Sequence, residues 1–158
     1  MANLIPNSFR GALFEANHNF KASGGNTFKL SLYTGAIAAV YTVSSTVFSA
    51  TNEVSSGSGS NYVVKTLTRL GVASGTAVAS VDFDNVSYTS ATFTAAYAAI
   101  YNTDTVDGTA NRLVVVLDFN GNKTATNGTF TITFPDPSTP ANAKPADAAP
   151  TGVPVESR

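Results

Sequence analysis

Few residues of this chain have types and spacings that could do chemistry. His18 is the single histidine, and Glu15 precedes it by three positions. A catalytic triad needs a nucleophile on one side of the imidazole and an orienting acid on the other. No nucleophile elbow surrounds His18, so triad partners would have to come from distant segments, and a turn or surface histidine is the simpler reading. Asp82 and Asp84 in "VDFDN" and Asp104 and Asp107 in "NTDTVDG" are the acidic pairs that could offer oxygen ligands. Calcium loops need a D-x-D-x-D-G spacing and a bidentate acid at the twelfth position, which "DTVDG" lacks. Asp followed by Gly is also ordinary turn chemistry. Asp82 and Asp84 fall on one face of a strand, which reads as a solvated edge. Ten acidic residues always provide some pair of carboxylates, so glycosidase chemistry has no specific signal either. "SSGSGSNY" has neither the strand-to-helix setting nor the Lys-Ser/Thr ending of a phosphate loop. Tyr33, Tyr41, Tyr62, Tyr88, Tyr97 and Tyr101 could stack on sugars, but tyrosine is a common strand residue and packs at core edges. The expectation is a non-enzymatic protein with no cofactor and no metal.

Composition narrows the classes further. Of 158 residues, 43% are hydrophobic and only 12% charged, about half the usual charged share. A surface this poor in charge suits a larger assembly that covers much of it. Nine basic and ten acidic residues give a net charge of −1, with Lys and Arg scattered singly. Nucleic-acid binding normally needs a clustered basic surface, so none is expected. No apolar run approaches the roughly 20 residues of a membrane span. The start, "MANLIPNSFRG", lacks the charged and apolar regions of a signal peptide, which predicts a protein made in a cytosol. With no cysteine there is no disulfide and no thiolate chemistry. Asn85, Asn122 and Asn127 begin Asn-x-Ser/Thr sequons, which mean little without secretion.

The elements that must position these residues can be read from periodicity. Phe9, Leu13 and Phe14 suit one face of a short helix, with Asn7 or Ser8 as cap and Gly11 as a weakness. "ASGGN" (22–26) is a turn. From Phe28 the period becomes two: Phe28, Leu30 and Leu32 alternate with Lys29, Ser31 and Tyr33. "AAVYTV" (38–43) predicts a second short strand. "SATNEVSSGSGSNY" predicts a long loop anchored by Val54. "YVVKTLTRL" (62–70) and "TAVASVDFDNVSYT" (76–89) predict further strands, the latter with Ala79, Val81 and Phe83 on one face. The alanines of "SATFTAAYAAIYNT" (90–103) suggest a helix, but its aromatic and β-branched residues favour a strand. "NRLVVVLDF" (111–119) predicts a central strand covered on both faces, "GNKTATNG" a turn, and "TFTITF" (129–134) a closing strand.

About seven short strands make this an all-β chain: a single antiparallel β-sandwich or jelly-roll-like domain. The predicted organisation is an N-terminal arm and short helix over 1–27, the sandwich over 28–135, and a Pro/Ala-rich arm over 136–158. After Pro135 come Pro137, Pro140, Pro145, Pro150 and Pro154 among small and polar residues. Such a segment cannot build a core and favours extended conformations. It reads as a disordered tail or as an arm held by a neighbour. In the N-terminal arm, Leu4, Ile5 and Phe9 have no home within the alternating strands. With Pro135, Pro137, Pro140, Val153 and Val155 they are the expected assembly contacts.

The pieces "ALFEANHNFKASGGNTFKLSLYTG", "YTVSSTVFSATNEVSSGSG", "KTLT", "VDFDNVSYTSATFTAAYAAIYN" and "RLVVVLDFNGNKTATNGTFTITFP" cover most of residues 10–135. In these pieces and their order the chain resembles a family of small tailed-bacteriophage virion proteins. The resemblance implies a structural protein located in the virion and made in the host bacterial cytoplasm. Its first expected role is capsid decoration: a cement protein bound to the outer head shell. The second is a tail, tail-fibre or adaptor component, with a possible carbohydrate-binding role. Implied partners are the major capsid protein or neighbouring virion proteins, and copies of itself in a homo-oligomer such as a trimer. The segment after Pro135 departs from the family pattern.

Overall fold

A computed structural model describes residues 2–35, 37–74 and 79–135. The described chain is dominated by antiparallel β-structure, with one short helix and one 3-10 turn. Helix α1 spans Asn7–Phe14, and the 3-10 turn spans Ile37–Ala39. The strands are β1 (Phe28–Tyr33), β2 (Lys65–Thr66), β3 (Arg69–Ser74), β4 (Ala79–Phe83), β5 (Val86–Asn102) and β6 (Arg112–Ile132). One sheet has the order β2-β1-β5-β6, and β3 and β4 form a separate two-stranded sheet.

The long strands are the main departure from the seven short ones expected. β5 and β6 pair from Val86↔Ile132 to Asn102↔Arg112, with four register shifts. The predicted turn "GNKTATNG" is part of β6. Its start makes a bulge instead of a chain reversal: Gly121 and the preceding Asn120 have φ of 107° and 54°, and the register jumps from Tyr97↔Asp118 to Ala95↔Lys123. Extra residues on one strand bend a ribbon without ending it. "TFTITF" is accordingly the far end of β6, with Phe130 and Ile132 buried. The alanine-rich segment is strand to Asn102, and its Ala98 and Ala99 are fully buried where β5 lies between β1 and β6.

The sheet is covered on both faces. A larger cluster includes Phe28, Leu30, Leu32, Phe93, Phe130 and Ile132, and a second gathers Tyr33, Ile37, Tyr41, Ala99, Leu113 and Val116. Burial on two faces is what allows the continuous apolar run in β6. β6 is not central, however; it is the last of the four strands in the order. Its outer edge is closed by bridges from Leu4 to Val116 and from Val47 to Arg112. The expected strand at 38–43 is replaced by the 3-10 turn, whose Ile37 and neighbouring Tyr41 plug the second cluster. "YVVKTLTRL" is split between β2 and β3 and does not run as one strand. Val54 is buried and anchors the long loop as expected.

The N-terminal residues have homes in this fold. Leu4 exchanges two backbone hydrogen bonds with Val116, at 2.9 and 2.8 Å, and packs on the second cluster. Phe9 packs on the first cluster and lies 4.9 Å from the His18 ring. Ile5 is half-buried. In α1 the buried residue is Ala12, while Leu13 and Phe14 are turned outward, Phe14 being 92% exposed. The helix begins after Pro6, and no side chain caps it. Ser8 Oγ donates to the Ser45 carbonyl instead, at 3.0 Å. The apolar spacing locates the helix but not its inner face, since a helix of only two turns is oriented by the segments it packs against.

Candidate functional site

The residues singled out for chemistry are dispersed into structural roles. His18 is buried, and its Nδ1 meets Asn102 Nδ2 at 3.0 Å. Asn102 Oδ1 accepts the Asp104 amide N–H, so its amide nitrogen is the donor to the ring. That assigns the imidazole proton to Nε2. Burial, and secondly the nearby Arg112 guanidinium, hold the imidazole pKa below its ordinary value of 6.5. His18 is therefore a neutral ring between Phe9 and Phe20, tied to an amide and not to an acid. Glu15 accepts from Asn17 Nδ2 at 2.8 Å.

The acidic residues hold turns. Asp104 Oδ2 accepts from Asn26 Nδ2 at 2.9 Å and from the Thr27 amide at 3.3 Å, joining the 19–26 turn to the end of β5. Asp107 forms an ion pair with Arg112 at 3.2 Å. Asp82 accepts the amide N–H of Phe83. Among the described residues no group of three His, Cys, Asp or Glu could hold a metal ion.

The tyrosines are core residues. Tyr33, Tyr41, Tyr62, Tyr88 and Tyr101 are buried. The Tyr33 and Tyr41 hydroxyls lie 2.9 Å apart, and both reach the Ser49 carbonyl, at 2.7 and 3.1 Å. Tyr62 donates to Glu53 Oε1 at 2.6 Å. Burial pushes these phenols up, those of Tyr33, Tyr62 and Tyr88 far above the usual value of 10.0. The rings stack on protein neighbours, as Tyr62 does on Tyr88 with centroids 5.8 Å apart. They do not form an exposed platform for sugars.

What the surface does offer is apolar. In β3 and β4, Leu70, Val72 and Val81 are 53%, 60% and 42% exposed. Val72 and Val81 lie directly opposite each other, so they share a face. Phe83 shares that face by strand alternation and is buried at the root of the hairpin. The same apolar face thus runs from the core out into solvent. The root is held firmly: Arg69 donates through Nε to the Lys21 carbonyl at 2.8 Å and through Nη1 to the Asn26 carbonyl. Leu70 sits at a register shift beside Gly71, whose φ is 115°, a glycine-type bulge. Val81 and Phe83 share a face as expected, but only Phe83 is buried. Strand alternation could mark the apolar face; only the tertiary arrangement shows that the core ends at Phe83.

Of the expected assembly contacts, Leu4 and Phe9 are placed in the chain's own clusters, and Pro135 comes directly after Phe134, which packs on Phe83 at 5.8 Å. Pro137, Pro140, Val153 and Val155 lie outside the described residues, as does the 136–158 arm. Sequence reasoning does not mark the exposed Leu70, Val72, Val81 and Phe14 as contacts, because a hairpin valine and a core valine look alike in sequence. No protein-family model matches the chain, and no curated protein or solved structure does so either.

Proposed function

We propose that this chain is a non-enzymatic structural protein of a tailed-phage virion, and specifically a capsid decoration protein that binds the outer head shell. The observation that carries the reading is the facing pair Val72 and Val81, with Leu70 exposed beside them at the bulge, on a firmly rooted β-ribbon. Exposed apolar surface of this kind marks an interaction site. The chain as a whole is poor in charge, at 12%, and His18, Asp104 and Asp107 are occupied in internal bonds. The resemblance of residues 10–135 to small virion proteins favours the same reading. In this proposal the two-sided core is a β-sandwich of jelly-roll kind, and 136–158 is an extended arm. Copies of the chain associate around a closed axis, such as a local three-fold. Such contacts are individually modest and are reinforced by repetition over a shell.

Imaging of virions that carry this chain tests the proposal. Density distributed over the head, at a copy number that scales with the capsid lattice, is the expected result. Density at the tail alone, in few copies per particle, overturns it in favour of a tail or adaptor component.

A further inference from the structure

β6 is the last strand of the four-stranded sheet, so its far side is an edge. Near its start that edge meets Val47 and Leu4, and Asn3 Oδ1 accepts the Asp118 amide N–H. Farther along, among the described residues, 123–132 form ladder pairs with β5 alone. Natural edges are blunted by charges, prolines, bulges or a covering segment. Two bulges serve that purpose here, one at Asn120 and Gly121 and one between Ala125 and Gly128, where Asn127 has a φ of 47°. After Gly128 these devices stop. The next register shift places its extra residue on β5, where Ser90 has a φ of 50°. On the β6 side, "TFTITF" (129–134) follows with no charge, proline or glycine. High β-propensity with that composition is what pairs strands between chains.

The backbone groups on the open side can be named. The Phe134 amide donates to Asn85 Oδ1 at 2.9 Å, and Asn85 directly precedes β5. Strand alternation turns the backbone groups of Ile132 and Phe130 the same way and those of Thr129, Thr131 and Thr133 outward. The Ser87 and Thr131 hydroxyls, 3.0 Å apart, agree with this. Facing side chains come closest in pairs that exchange no backbone bonds. Each of the three threonines therefore offers an N–H and a C=O at the edge. Phe130 and Ile132 are buried on one face of the strand, while Thr129 and Thr133 are exposed on the other.

We propose that this edge pairs antiparallel with the same edge of a second copy, about a two-fold axis at Thr131. In that register Thr131 meets its own copy, Thr129 meets Thr133, and Phe130 meets Ile132. Hydroxyl faces hydroxyl, apolar faces apolar, and no like charges are opposed. The segment has the same pattern in both directions from Thr131, which is the reason to assign a second copy and not a different strand. Two identical edges paired in this way close a two-fold dimer, a unit that a larger ring can repeat. The contact involves neither Leu70, Val72 nor Val81, and it does not depend on the virion reading.

Small-angle scattering of the full-length chain should show monomers passing to dimers as concentration rises into the millimolar range. Thr131→Pro removes an outward N–H, a change that edge strands tolerate, and should leave the chain monomeric. If thermal unfolding shows that this variant has lost the fold, Thr131→Lys decides. It sets two like charges directly opposite each other and should raise the dissociation constant about fivefold, with recovery in high salt. The chain has no cysteine, so Thr131→Cys adds a third reading. Directly opposed hydrogen-bonded residues have Cα atoms about 5.5 Å apart, within disulfide reach. Thr131→Cys should therefore oxidise to a covalent dimer faster than the exposed Ser58→Cys. A wild-type chain that stays monomeric throughout overturns the proposal, as does a dimer indifferent to the folded Thr131 variants. A dimer lost with Val72→Asp but unchanged with Thr131→Lys overturns it in favour of the hairpin face.

Discussion

The Tyr62 hydroxyl accepts the amide N–H of Leu32 at 3.0 Å while donating to Glu53 Oε1 at 2.6 Å. β2 covers only the Lys29–Leu30 part of the β1 edge. Beyond it a side chain and a loop stand where a strand would be: Tyr62 takes the Leu32 N–H, and the Val54 amide donates to the Leu32 carbonyl at 2.9 Å. The long polar loop is thus bound to the sheet edge by a phenol buried in the core.

Tyr62→Phe keeps the ring and removes the acceptor. Leu32 is fully buried, so its N–H loses its partner, which costs about 1–3 kcal/mol. Urea unfolding should show that loss with an unchanged slope. An unchanged midpoint would mean the loop is not held through this hydroxyl.

The 19–26 turn is packed around Gly25. A Cβ there would lie 2.3 Å from the Lys21 carbonyl oxygen and 2.7 Å from that of Asn19. Both are backbone atoms, so the turn must open to admit a methyl group. Gly25→Ala should destabilise the domain by about 1–3 kcal/mol, in the range of overpacked sites. Gly24→Ala offers a contrast: its added Cβ meets no atom within 4 Å, although its φ is 72°. Thermal unfolding of the two variants should therefore show the larger loss for Gly25→Ala.

His18 makes stability depend on pH. Its folded pKa is lowered, so the unfolded chain binds a proton more readily as pH falls through 6.5. The stabilisation is complete above that value and declines below it until the folded ring also protonates. Denaturant midpoints measured from pH 8 to pH 5 should fall for the wild type and remain flatter for His18→Gln. Parallel slopes in the two proteins would remove His18 from the account.

The buried phenols act in the opposite direction. Their folded pKa values are raised, so their contribution is complete below pH 10 and is lost as pH rises beyond it. Spectrophotometric titration should leave Tyr33, Tyr62 and Tyr88 un-ionised until a cooperative alkaline unfolding step. Smooth ionisation of all six tyrosines near pH 10 would contradict their burial.

Alternation and residue type are enough to recognise most of the β-structure. Phe28, Leu30 and Leu32 alternate along β1 on one buried face, although Ser31 and Tyr33 between and beyond them are buried as well, and the aromatic and β-branched residues of 90–103 outweigh the alanines. Two of the readings that fail show how neighbours decide. "GNKTATNG" has turn chemistry, yet its pairing with β5 across the bulge keeps it in the ribbon. The residues at 38–43 have strand character, but Ile37 and Tyr41 fill a gap against Tyr33 and Val116, and the chain coils there to deliver them.

The same division applies to the surface. Low charge, absent cysteine and the change of period from helix to strand are local properties, so the amino-acid order alone established a β-rich chain without thiol chemistry. Exposure is not local. Val81 and Phe83 are two positions apart on one face, and one is exposed while the other is buried, because the core that covers Phe83 is built by Phe20, Phe28 and Phe134. Phe20 and Phe28 lie far in the chain from Phe83 and from Phe134, and only the convergence of these segments in the folded state decides where the core stops and the exposed apolar strip begins.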